Sequence, residues 1–542
     1  MPPDQSTRSS PQAGPREPQK GGFGRRLLQS TSVVSAMTLL SRILGLVRDV
    51  VFARMFGAMI VMDAFIVANR IPNMLRRFFA EGAFSQGFVP VMARYREQHE
   101  HADARAFVDA VAGTLGLLLF LLTLIGVVAA PLLVLIVAPG FVGEDGRFDL
   151  ATAMLRFTFP YLFFVSLTAF AGGVLNTYGK FGAPAFTPVI LNVVLIASAL
   201  WLAPTLEEPG MALAYGVFLA GVIQLAFQVP FLAKLHAVPR PRWRPRHDGV
   251  RRVGTLMLPA IFGSSVAQIN VLLGGIIASL LGVGKISLLY YSDRLMEFPL
   301  GLFGIALATV TLPYLSRQAA NESMQEFSDT LDWSMRLVVL IATPAAVGLI
   351  ILAEPLVATI FYGGVFTAFD VEMTALSLQA FAIGLIGFSF VKILAPAYFA
   401  REDTKTPVKI GLVALAVNFS LSILLAWGLT RIGYPGTHAG LALAISVAAI
   451  INAWLLYRGL RRDGFLSPGA GWLVFVVRVI AANAAMIVAV RVLDRPLDWW
   501  LAASVWQRSA WLAVVVGAGV AAYFIVLILV GTRPAQFRHR SG

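Results

Sequence analysis

The sequence predicts an all-α polytopic membrane protein with about fourteen transmembrane helices, and three observations support this. The chain is 58% hydrophobic and only 13% charged, whereas soluble globular proteins are about 25% charged. Apolar runs long enough for the roughly 20 residues of a membrane-spanning helix recur along nearly all of its 542 residues. These runs are continuous, whereas the strands of a membrane β-barrel alternate over about ten residues. A bundle of transmembrane helices is therefore the predicted fold class.

The predicted spans follow one another with short connections. They fall near 32–57, 61–92, 106–138, 150–178, 185–204, 210–234, 252–282, 286–315, 329–353, 372–399, 407–429, 435–457, 470–492 and 506–531. The segment 355–371 is apolar but short and interrupted by glycine, so we interpret it as interfacial or re-entrant.

Composition excludes several classes of function. The chain has no cysteine, and its six histidines show no HExxH spacing, so we expect no disulfide, metal site or cofactor. No Walker loop or nucleophile elbow is present, which argues against an enzyme. The formal net charge of +14 is typical of basic cytoplasmic loops and does not require a nucleic-acid partner.

The distribution of basic residues predicts the orientation. Loops that follow even-numbered spans are rich in arginine, most of all in 240–252. Loops after odd-numbered spans are short or acidic, and the basic exceptions are Lys285, Arg431 and the mixed segment Arg491–Asp498. Because basic loops stay in the cytoplasm, both termini are predicted to be cytoplasmic. Residues 1–28 read as a disordered basic tail. Lys180, Lys392 and Lys409 lie near predicted cytoplasmic ends and are interpreted as topology determinants.

A weak internal repeat predicts two halves of equal orientation. FGAPAFTPV (Phe181–Val189) pairs with FAREDTKTPV (Phe399–Val408), and VPVMAR (Val89–Arg94) pairs with LPYLSR (Leu312–Arg317). Two six-helix lobes related by an axis along the membrane normal are the arrangement of alternating-access transporters with a site between the lobes. The predicted units are an N-lobe at 29–236, a C-lobe at 237–465, and two further helices with a short basic tail at 466–542.

The first two spans carry charges well inside their apolar runs. Such charges cost at least about 2.5–3.5 kcal/mol near the bilayer centre, so they normally face a partner or a wet cavity. They are Arg42, Arg48 and Asp49 in the first span, and Asp63, Arg70, Arg76, Arg77 and Glu81 in the second. The excess of arginine predicts an anionic ligand, since the guanidinium fork bonds two phosphate oxygens at once.

Helical periodicity places only some of these charges together. Arg42 and Asp49 lie about 20° apart around an ideal helix, while Arg48 lies about 120° from Arg42, so one shared face would need a bend near Gly45. In the second span, Pro72 is expected to interrupt the register, and periodicity does not decide between Arg76 and Arg77.

The second half of the chain has its own charged cluster. YYSDRLMEFP (Tyr290–Pro299) places Asp293 and Glu297 on one helix face, with Arg294 three residues before Glu297. Basic side chains from both halves are thus predicted to converge on the interface between them. The alternative is structural: the carboxylates serve only as counter-ions, and the arginines only as salt bridges between helices.

The same motifs resemble those of a known family. SRILGLVRD (Ser41–Asp49), MDAF (Met62–Phe65), PNMLRRFFAEGAFSQGFVPV (Pro72–Val91), YYSDRLMEFP and AREDTKTPVKI (Ala400–Ile410) are similar to motifs of the MurJ (MviN) family of lipid II flippases. The resemblance covers nearly everything after residue 28.

This resemblance implies a MATE-like fold of the MOP exporter superfamily, with two six-helix lobes around a cavity and two C-terminal helices that help form a groove for the lipid tail. It implies that Arg42, Arg48, Arg76 and Arg294 bind the substrate, and it thus favours Arg76 over Arg77. The supporting ion pairs or gating residues would be Asp49, Asp63, Arg77, Glu81, Asp293 and Glu297.

The expected function is therefore translocation of lipid II, the undecaprenyl-diphosphate-linked peptidoglycan precursor, across the bacterial inner membrane. Membrane lipids and cell-wall synthesis proteins are the other candidate partners. The alternatives are a flippase for another polyprenyl-diphosphate glycan, an exporter of small cations, and a non-transporting scaffold of cell-wall assembly. The excess of arginine argues against the cation exporter.

Overall fold

A computed structural model describes residues 20–98, 101–143, 145–301, 305–320 and 323–532. In these ranges the chain is helical except for its connections, which contain one isolated bridge between Gly363 and Phe366. The N-terminal helices are α1 (Lys20–Phe56), α2 (Ile60–Arg76), α3 (Gly82–Gln98), α4 (His101–Val128), α5 (Ala130–Val137), α6 (Arg147–Thr158), α7 (Tyr161–Thr177), α8 (Gly182–Ala197) and α9 (Met211–Lys234). They are followed by α10 (Asp248–Ser279), α11 (Lys285–Pro299), α12 (Ile305–Ala320), α13 (Met324–Ile351), α14 (Ala353–Ile360), α15 (Ala368–Phe399), α16 (Lys405–Arg431), α17 (Thr437–Arg462), α18 (Trp472–Leu493), α19 (Leu497–Ala502) and α20 (Val505–Leu529).

A helix occupies each of the fourteen predicted spans, but the spans are not alike. Among the described residues, ten helical stretches are long and apolar enough to cross a membrane. The other four predicted spans coincide with α1, α2–α3, α10 and α11–α12. Three of these four carry the charges that the sequence singled out. The helices least like ordinary transmembrane segments are therefore those that build the site described below.

The first helix begins earlier than the sequence predicts. α1 starts at Lys20, inside the range 1–28 that was assigned to the tail, and continues without a break to Phe56. Residues 1–19 lie outside the described residues. The last proline before the helix is Pro18, so nothing in 20–56 removes a backbone donor from α1.

Pro72 does not interrupt the second span, contrary to the sequence prediction. α2 runs through Pro72 to Arg76. Pro72 has no N–H to offer the carbonyl of Ala68, and the buried hydroxyl of Thr158 on α6 donates to that oxygen at 3.1 Å instead. The register changes one turn later, where Arg77–Glu81 form a π-helical turn between α2 and α3.

Helices pack closely within each lobe because glycine removes side chains from the contacts. In the C-terminal half, Gly384 and Gly387 of α15 lie against α17, where a Cβ on Gly384 would come within 2.6 Å of Ser446 Cα. In the N-terminal half, Gly221 of α9 packs on Tyr161 and Phe164 of α7. Small residues allow this close approach between transmembrane helices. The structure has two helical lobes, which are joined by the α9–α10 connection.

The two lobes meet where α1 and α10 end, and we call this the closed end. The carbonyl of Gly57 accepts a hydrogen bond from the Tyr291 hydroxyl at 3.2 Å. The Gly140 N–H donates to Ser279 Oγ at 3.2 Å. The segment predicted as interfacial or re-entrant also reaches this end, since Val365 N–H donates to the Arg54 carbonyl at 3.0 Å. These contacts seal one side of the space between the lobes.

The last helices attach to the C-lobe through a carboxylate. Asp332 of α13 accepts from Trp472 Nε1 at 2.6 Å and from the Gly469 N–H at 3.1 Å, and it pairs with Arg336 at 2.8 Å. Trp472 begins α18, which packs on α20. One buried acidic side chain thus fixes the start of the C-terminal helix pair against α13.

Replacing Asp332 by alanine is expected to destabilise this attachment. The change leaves the indole N–H of the half-buried Trp472 without its acceptor, which typically costs about 1–3 kcal/mol, whereas the exposed Gly469 N–H can turn to water. The free energy of unfolding in mixed detergent–SDS micelles measures this loss. Asp329→Ala on the same helix is the control, because Asp329 is exposed and is bonded to Gln325 alone among the contacts described. Equal effects of the two changes would contradict the anchoring role of Asp332.

Candidate substrate site between the lobes

Asp49 is the centre of a polar cluster that joins the lobes. It is 2% exposed and lies on α1. Its Oδ1 accepts from Arg48 Nη2 at 2.7 Å, from Arg48 Nε at 3.0 Å and from the Tyr290 hydroxyl at 2.9 Å. Tyr290 belongs to α11 of the other lobe. A single carboxylate therefore holds a cation of its own lobe and a hydroxyl of the opposite one.

Arg48 reaches this cluster from α1, which is helical without interruption from Lys20 to Phe56. Its guanidinium folds back onto the neighbouring Asp49, and its Nη1 donates to Asn192 Oδ1 of α8 at 3.1 Å. Asn192 is itself fixed, because its amide donates to the Ser41 carbonyl at 2.9 Å. Because Arg48 and Asp49 are neighbours in the sequence, the long arginine side chain can fold back onto the carboxylate without the two residues sharing a helix face.

Arg294 enters the same cluster from the C-lobe. Its Nε lies 3.6 Å from Asp49 Oδ2, and its Nη1 donates to Glu297 Oε2 at 2.9 Å. The guanidinium stacks over the Tyr290 ring at 5.0 Å. The Arg294 side chain is 39% exposed, against 14% for Arg48. Arg294 thus presents guanidinium N–H groups to the space between the lobes.

Arg42 and Lys392 extend the basic surface away from the closed end. Arg42 is exposed, and its guanidinium lies against Gly301, where a Cβ would overlap it. Lys392 of α15 lies within electrostatic range of Arg42 and Glu297. The sequence assigned Lys392 to topology alone, whereas the structure places it with the site. No signal in the sequence distinguishes these two roles.

Asp63 makes its described hydrogen bonds to a helix N-terminus rather than to an arginine, and its role as a supporting ion pair or gating residue stays a prediction. It is fully buried near the start of α2 and accepts from Gly284 N–H at 2.6 Å, Ser287 N–H at 2.9 Å and Ser287 Oγ at 2.6 Å. These donors belong to the first turn of α11. Free backbone N–H groups and the helix dipole make such an N-terminus a good partner for a carboxylate. Asp63 is therefore a contact between lobes at the closed end.

The other residues predicted for the site are placed less centrally. Arg76 Nε donates to Asn73 Oδ1 at 3.2 Å on its own helix. Arg77 is exposed and begins the π-helical turn. The Glu81 side chain lies outside the described residues. Asp293 is partly buried and lies within electrostatic range of Glu297 and Arg294. None of these contacts reaches Asp49.

Arg70 is a charge of the second span that the sequence analysis did not assign to the site. It projects from α2 toward the C-lobe, where Asp293 is the carboxylate that acts on it electrostatically. Its Nη1 is buried and has no hydrogen-bond partner among the described residues. The guanidinium occupies the space left by the missing side chain of Gly275 on α10, where a Cβ would overlap Nη1.

Gly275→Ala is expected to displace Arg70 and to destabilise the packing of α2 on α10. Overpacking a tight contact typically costs about 1–3 kcal/mol. The adjacent Gly274→Ala is a matched control, because its Cβ would meet nothing within 4 Å. Alanine in place of an interior helical glycine is worth roughly 0.5–1 kcal/mol of stabilisation, so Gly274→Ala should raise the unfolding temperature and Gly275→Ala should lower it. Two changes of the same sign would show that Arg70 does not depend on the glycine.

The site as a whole suits an anionic ligand. Arg42, Arg48, Arg70, Arg294 and Lys392 exceed the described carboxylates Asp49, Asp293 and Glu297. Exposure rises with distance from the closed end, from the fully buried Asp63 through Asp49 to Arg294 and Glu297, whose side chains are 39% and 53% exposed. Among the described residues, no group of three or more histidine, aspartate or glutamate side chains is arranged to hold a metal.

Comparisons with known proteins identify similar chains over nearly the whole length. The family model described as "Lipid II flippase MurJ" matches residues 52–531. The chain is 46% identical to a "Probable lipid II flippase MurJ" of Vibrio cholerae, over 94% of this chain and 97% of that one. It is 43% identical to a "Lipid II flippase MurJ" of Burkholderia cenocepacia, over 95% of this chain and 99% of that one.

Solved structures show the same architecture. The fold matches that of a "Lipid II flippase MurJ, inward closed conformation" with a TM-score of 0.74 at 25% identity, over 92% of this chain and 98% of that one. It also matches an inward-facing MATE-family multidrug transporter of the MOP superfamily with a TM-score of 0.65 at 14% identity, over 80% and 98% of the two chains. The second likeness concerns the fold alone.

Proposed function

Since this chain belongs to the MurJ family of lipid II flippases, we propose that it moves lipid II from the inner to the outer leaflet of a bacterial cytoplasmic membrane by alternating access. The observation that carries the proposal is the cluster of Arg48, Asp49, Tyr290 and Arg294 between the lobes. Lipid II carries a diphosphate, and two arginines from facing lobes can bind its oxygens from both sides.

The diphosphate competes with Asp49 for the same donors. When it enters from the open side, it takes Arg294 first, because that guanidinium is the more exposed of the two. It then attracts Arg48, and Asp49 keeps the Tyr290 hydroxyl. This exchange removes one of the charged contacts between lobes and allows the closed end to open. After release of the lipid, Asp49 recovers both arginines and the site resets.

The orientation follows from the basic loops and from the geometry. The closed end faces the outer side of the membrane, and both termini lie in the cytoplasm, where the positive-inside rule places the arginine-rich loops. The site therefore opens toward the leaflet in which lipid II is made. The two lobes at 29–236 and 237–465 are the moving units, and α18 and α20 provide surface for the polyprenyl tail.

Complementation tests this function. Cells depleted of their own lipid II flippase receive the parent protein, Arg294→Ala or the control Arg461→Ala, and lipid II on the outer surface is measured by its accessibility. Arg461 is an exposed arginine on α17 that stacks over Tyr457 outside the site. We expect the parent and Arg461→Ala to restore outer-leaflet lipid II and Arg294→Ala to fail by at least about ten-fold, since a charge-assisted hydrogen bond is worth roughly 1.5–3 kcal/mol.

The outcomes distinguish an error in the proposed substrate from an error in the proposed role of the cluster. Failure of a correctly inserted parent would move the proposal to another polyprenyl-diphosphate glycan or to a scaffold role in cell-wall assembly. Full activity of Arg294→Ala beside an active parent would keep the substrate and reject the role of the cluster.

A further inference from the structure

The linker between the lobes is a proline-rich and unusually basic segment. It comprises Val238–His247, with the sequence VPRPRWRPRH, between α9 and α10. Asp109 of α4 holds it at two points, because Arg240 N–H donates to Asp109 Oδ1 at 2.7 Å and Arg242 N–H donates to the Asp109 carbonyl at 3.0 Å. The linker backbone also lies directly on Gly113, where a Cβ would overlap Arg242. The segment is thus fixed to the outside of the N-lobe.

The arginine side chains of this linker have no anionic partner in the described part of the chain. Arg240, Arg242, Arg244 and Arg246 are all exposed, and none makes an ion pair there. Asp109, which holds the segment, is 4% exposed and is occupied by backbone groups, and Asp248 follows the segment directly at the start of α10. Four exposed guanidinium groups therefore lie along ten residues of chain, with one adjacent carboxylate that forms no described ion pair with them.

An apolar groove begins directly beneath these arginines. It has a volume of about 610 Å³ and is lined by Pro239, Pro241 and Trp243 of the linker and by side chains of α4, α7 and α9. The walls include Leu117, Phe120, Leu167, Leu225 and Val229. Trp243 is 58% exposed and Phe120 is 55% exposed, so the groove opens to the surroundings of the N-lobe rather than to the space between the lobes. A volume of about 300–1,000 Å³ is typical of ligand sites.

We propose that the linker and the groove form a binding site for an anionic diacyl phospholipid. One acyl chain lies in the groove, and the phosphate is bound by the guanidinium groups of Arg240, Arg242 and Arg244. Charge complementarity identifies the headgroup, since a cluster of arginines next to a membrane helix attracts anionic lipids. Trp243 lines the groove and is flanked in sequence by Arg242 and Arg244, and tryptophan is favoured at the membrane interface.

This site is distinct from the proposed translocation site and does not depend on it. Only the choice of leaflet rests on the proposed orientation, which places the linker at the cytoplasmic surface. The bound lipid strengthens the attachment of the linker to the N-lobe. The start of α10 therefore stays fixed on the N-lobe when the C-lobe moves.

Lipid titration of the delipidated full-length protein in neutral detergent tests the proposal, with thermal stability as the readout. The probes are phosphatidylglycerol, phosphatidylcholine and sn-glycerol 3-phosphate. We expect phosphatidylglycerol to raise the unfolding temperature at concentrations where the other two do not. In the triple variant Arg240→Gln, Arg242→Gln, Arg244→Gln, the affinity should fall about 100-fold, because each arginine contributes roughly a five-fold factor.

A second variant tests the acyl-chain part. Gly116 lines the groove and a Cβ there would meet nothing within 4 Å, so Gly116→Leu fills the groove without disturbing the helix. Its affinity for phosphatidylglycerol should fall at least about ten-fold, equivalent to the lost contacts of two CH₂ groups. Gly517→Leu on α20, which also has open space, and glutamine at Arg458, Arg461 and Arg462 are the matched controls and should bind like the parent.

Three results would overturn the proposal. The first is an equal response of the parent to phosphatidylcholine, which would remove the role of the arginines. The second is an equal response to glycerol phosphate, which would indicate a soluble phosphate site. The third is unchanged affinity in the triple variant or in Gly116→Leu.

Discussion

Arg48→Ala is expected to abolish translocation while leaving a folded protein in the membrane. The change removes a buried guanidinium that bonds Asp49, Asn192 and Tyr290 together. Truncating one partner of such a hydrogen-bonded charge pair typically costs about 2–5 kcal/mol. Asp49 still retains the Tyr290 hydroxyl and lies within 3.6 Å of Arg294, so the carboxylate is not left without a partner. The change should therefore weaken substrate binding rather than destabilise the folded protein.

The measurement is transport of labelled lipid II across proteoliposomes that contain equal amounts of each purified variant. We expect at least about a 100-fold lower rate for Arg48→Ala, and a similar loss for Arg48→Lys, since an ammonium group cannot reproduce the planar fork that reaches three acceptors. Arg431→Ala is the control, because Arg431 is exposed at the end of α16 and stacks on Trp427. Parent-like transport by Arg48→Lys would show that charge alone is sufficient.

Asp63→Ala is expected to open the closed end. The change leaves the Gly284 and Ser287 N–H groups and the Ser287 hydroxyl facing an apolar methyl group. Each unsatisfied buried donor costs about 1–3 kcal/mol, so the closed arrangement should lose several kcal/mol relative to an open one in which water reaches these groups. The population should shift by about 100-fold or more, and directional transport should fail with it.

The absence of cysteine from the chain makes this shift measurable with a single introduced thiol. Ala58 is 8% exposed and lies against Gly284 at the closed end. In Ala58→Cys, a membrane-impermeant maleimide should react slowly, and the addition of Asp63→Ala should accelerate labelling. Asp149→Ala is the control, since Asp149 is an exposed carboxylate in the first turn of α6. Equal labelling rates of Ala58→Cys with and without Asp63→Ala would show that Asp63 does not hold the closed end shut.

The helices could be predicted from the sequence because each span carries its own signal. Hydrophobic length alone locates α13, α15, α16, α17, α18 and α20 to within a few residues. The sequence prediction fails where the conformation of a segment depends on a residue that is distant in the sequence. Pro72 reads as a break, yet the hydroxyl of Thr158 satisfies the carbonyl that the proline leaves free. Nothing near Pro72 in the sequence indicates that a threonine from α6 lies there.

The site could be predicted only in part for a similar reason. Arg48, Asp49 and Arg294 were identified because charges inside apolar runs are costly, and the structure brings them together. Asn192 and Tyr290 hold the same cluster but carry no such signal, since a single amide or phenol in a span is common. Asp63 was expected to be a supporting ion pair or gating residue, but the sequence did not indicate that its hydrogen-bond partner would be a helix N-terminus, because backbone N–H groups have no residue-type signal.

The order of the side chains along α11 determines how the contacts between the lobes break. Ser287 bonds Asp63, and Tyr290 and Arg294 bond or approach Asp49, all within two turns of one helix. The steps of three and four residues place these side chains on a single face. A rigid rod cannot leave one carboxylate and keep the other, so the two contacts form one cooperative latch. Because both contacts must break together, half-open intermediates are scarce. If each contact contributes a factor of about ten, the state with both broken is about a hundred-fold less populated than the closed state. A transporter whose two contacts break together lets few ions or small molecules pass while it changes between its two end states.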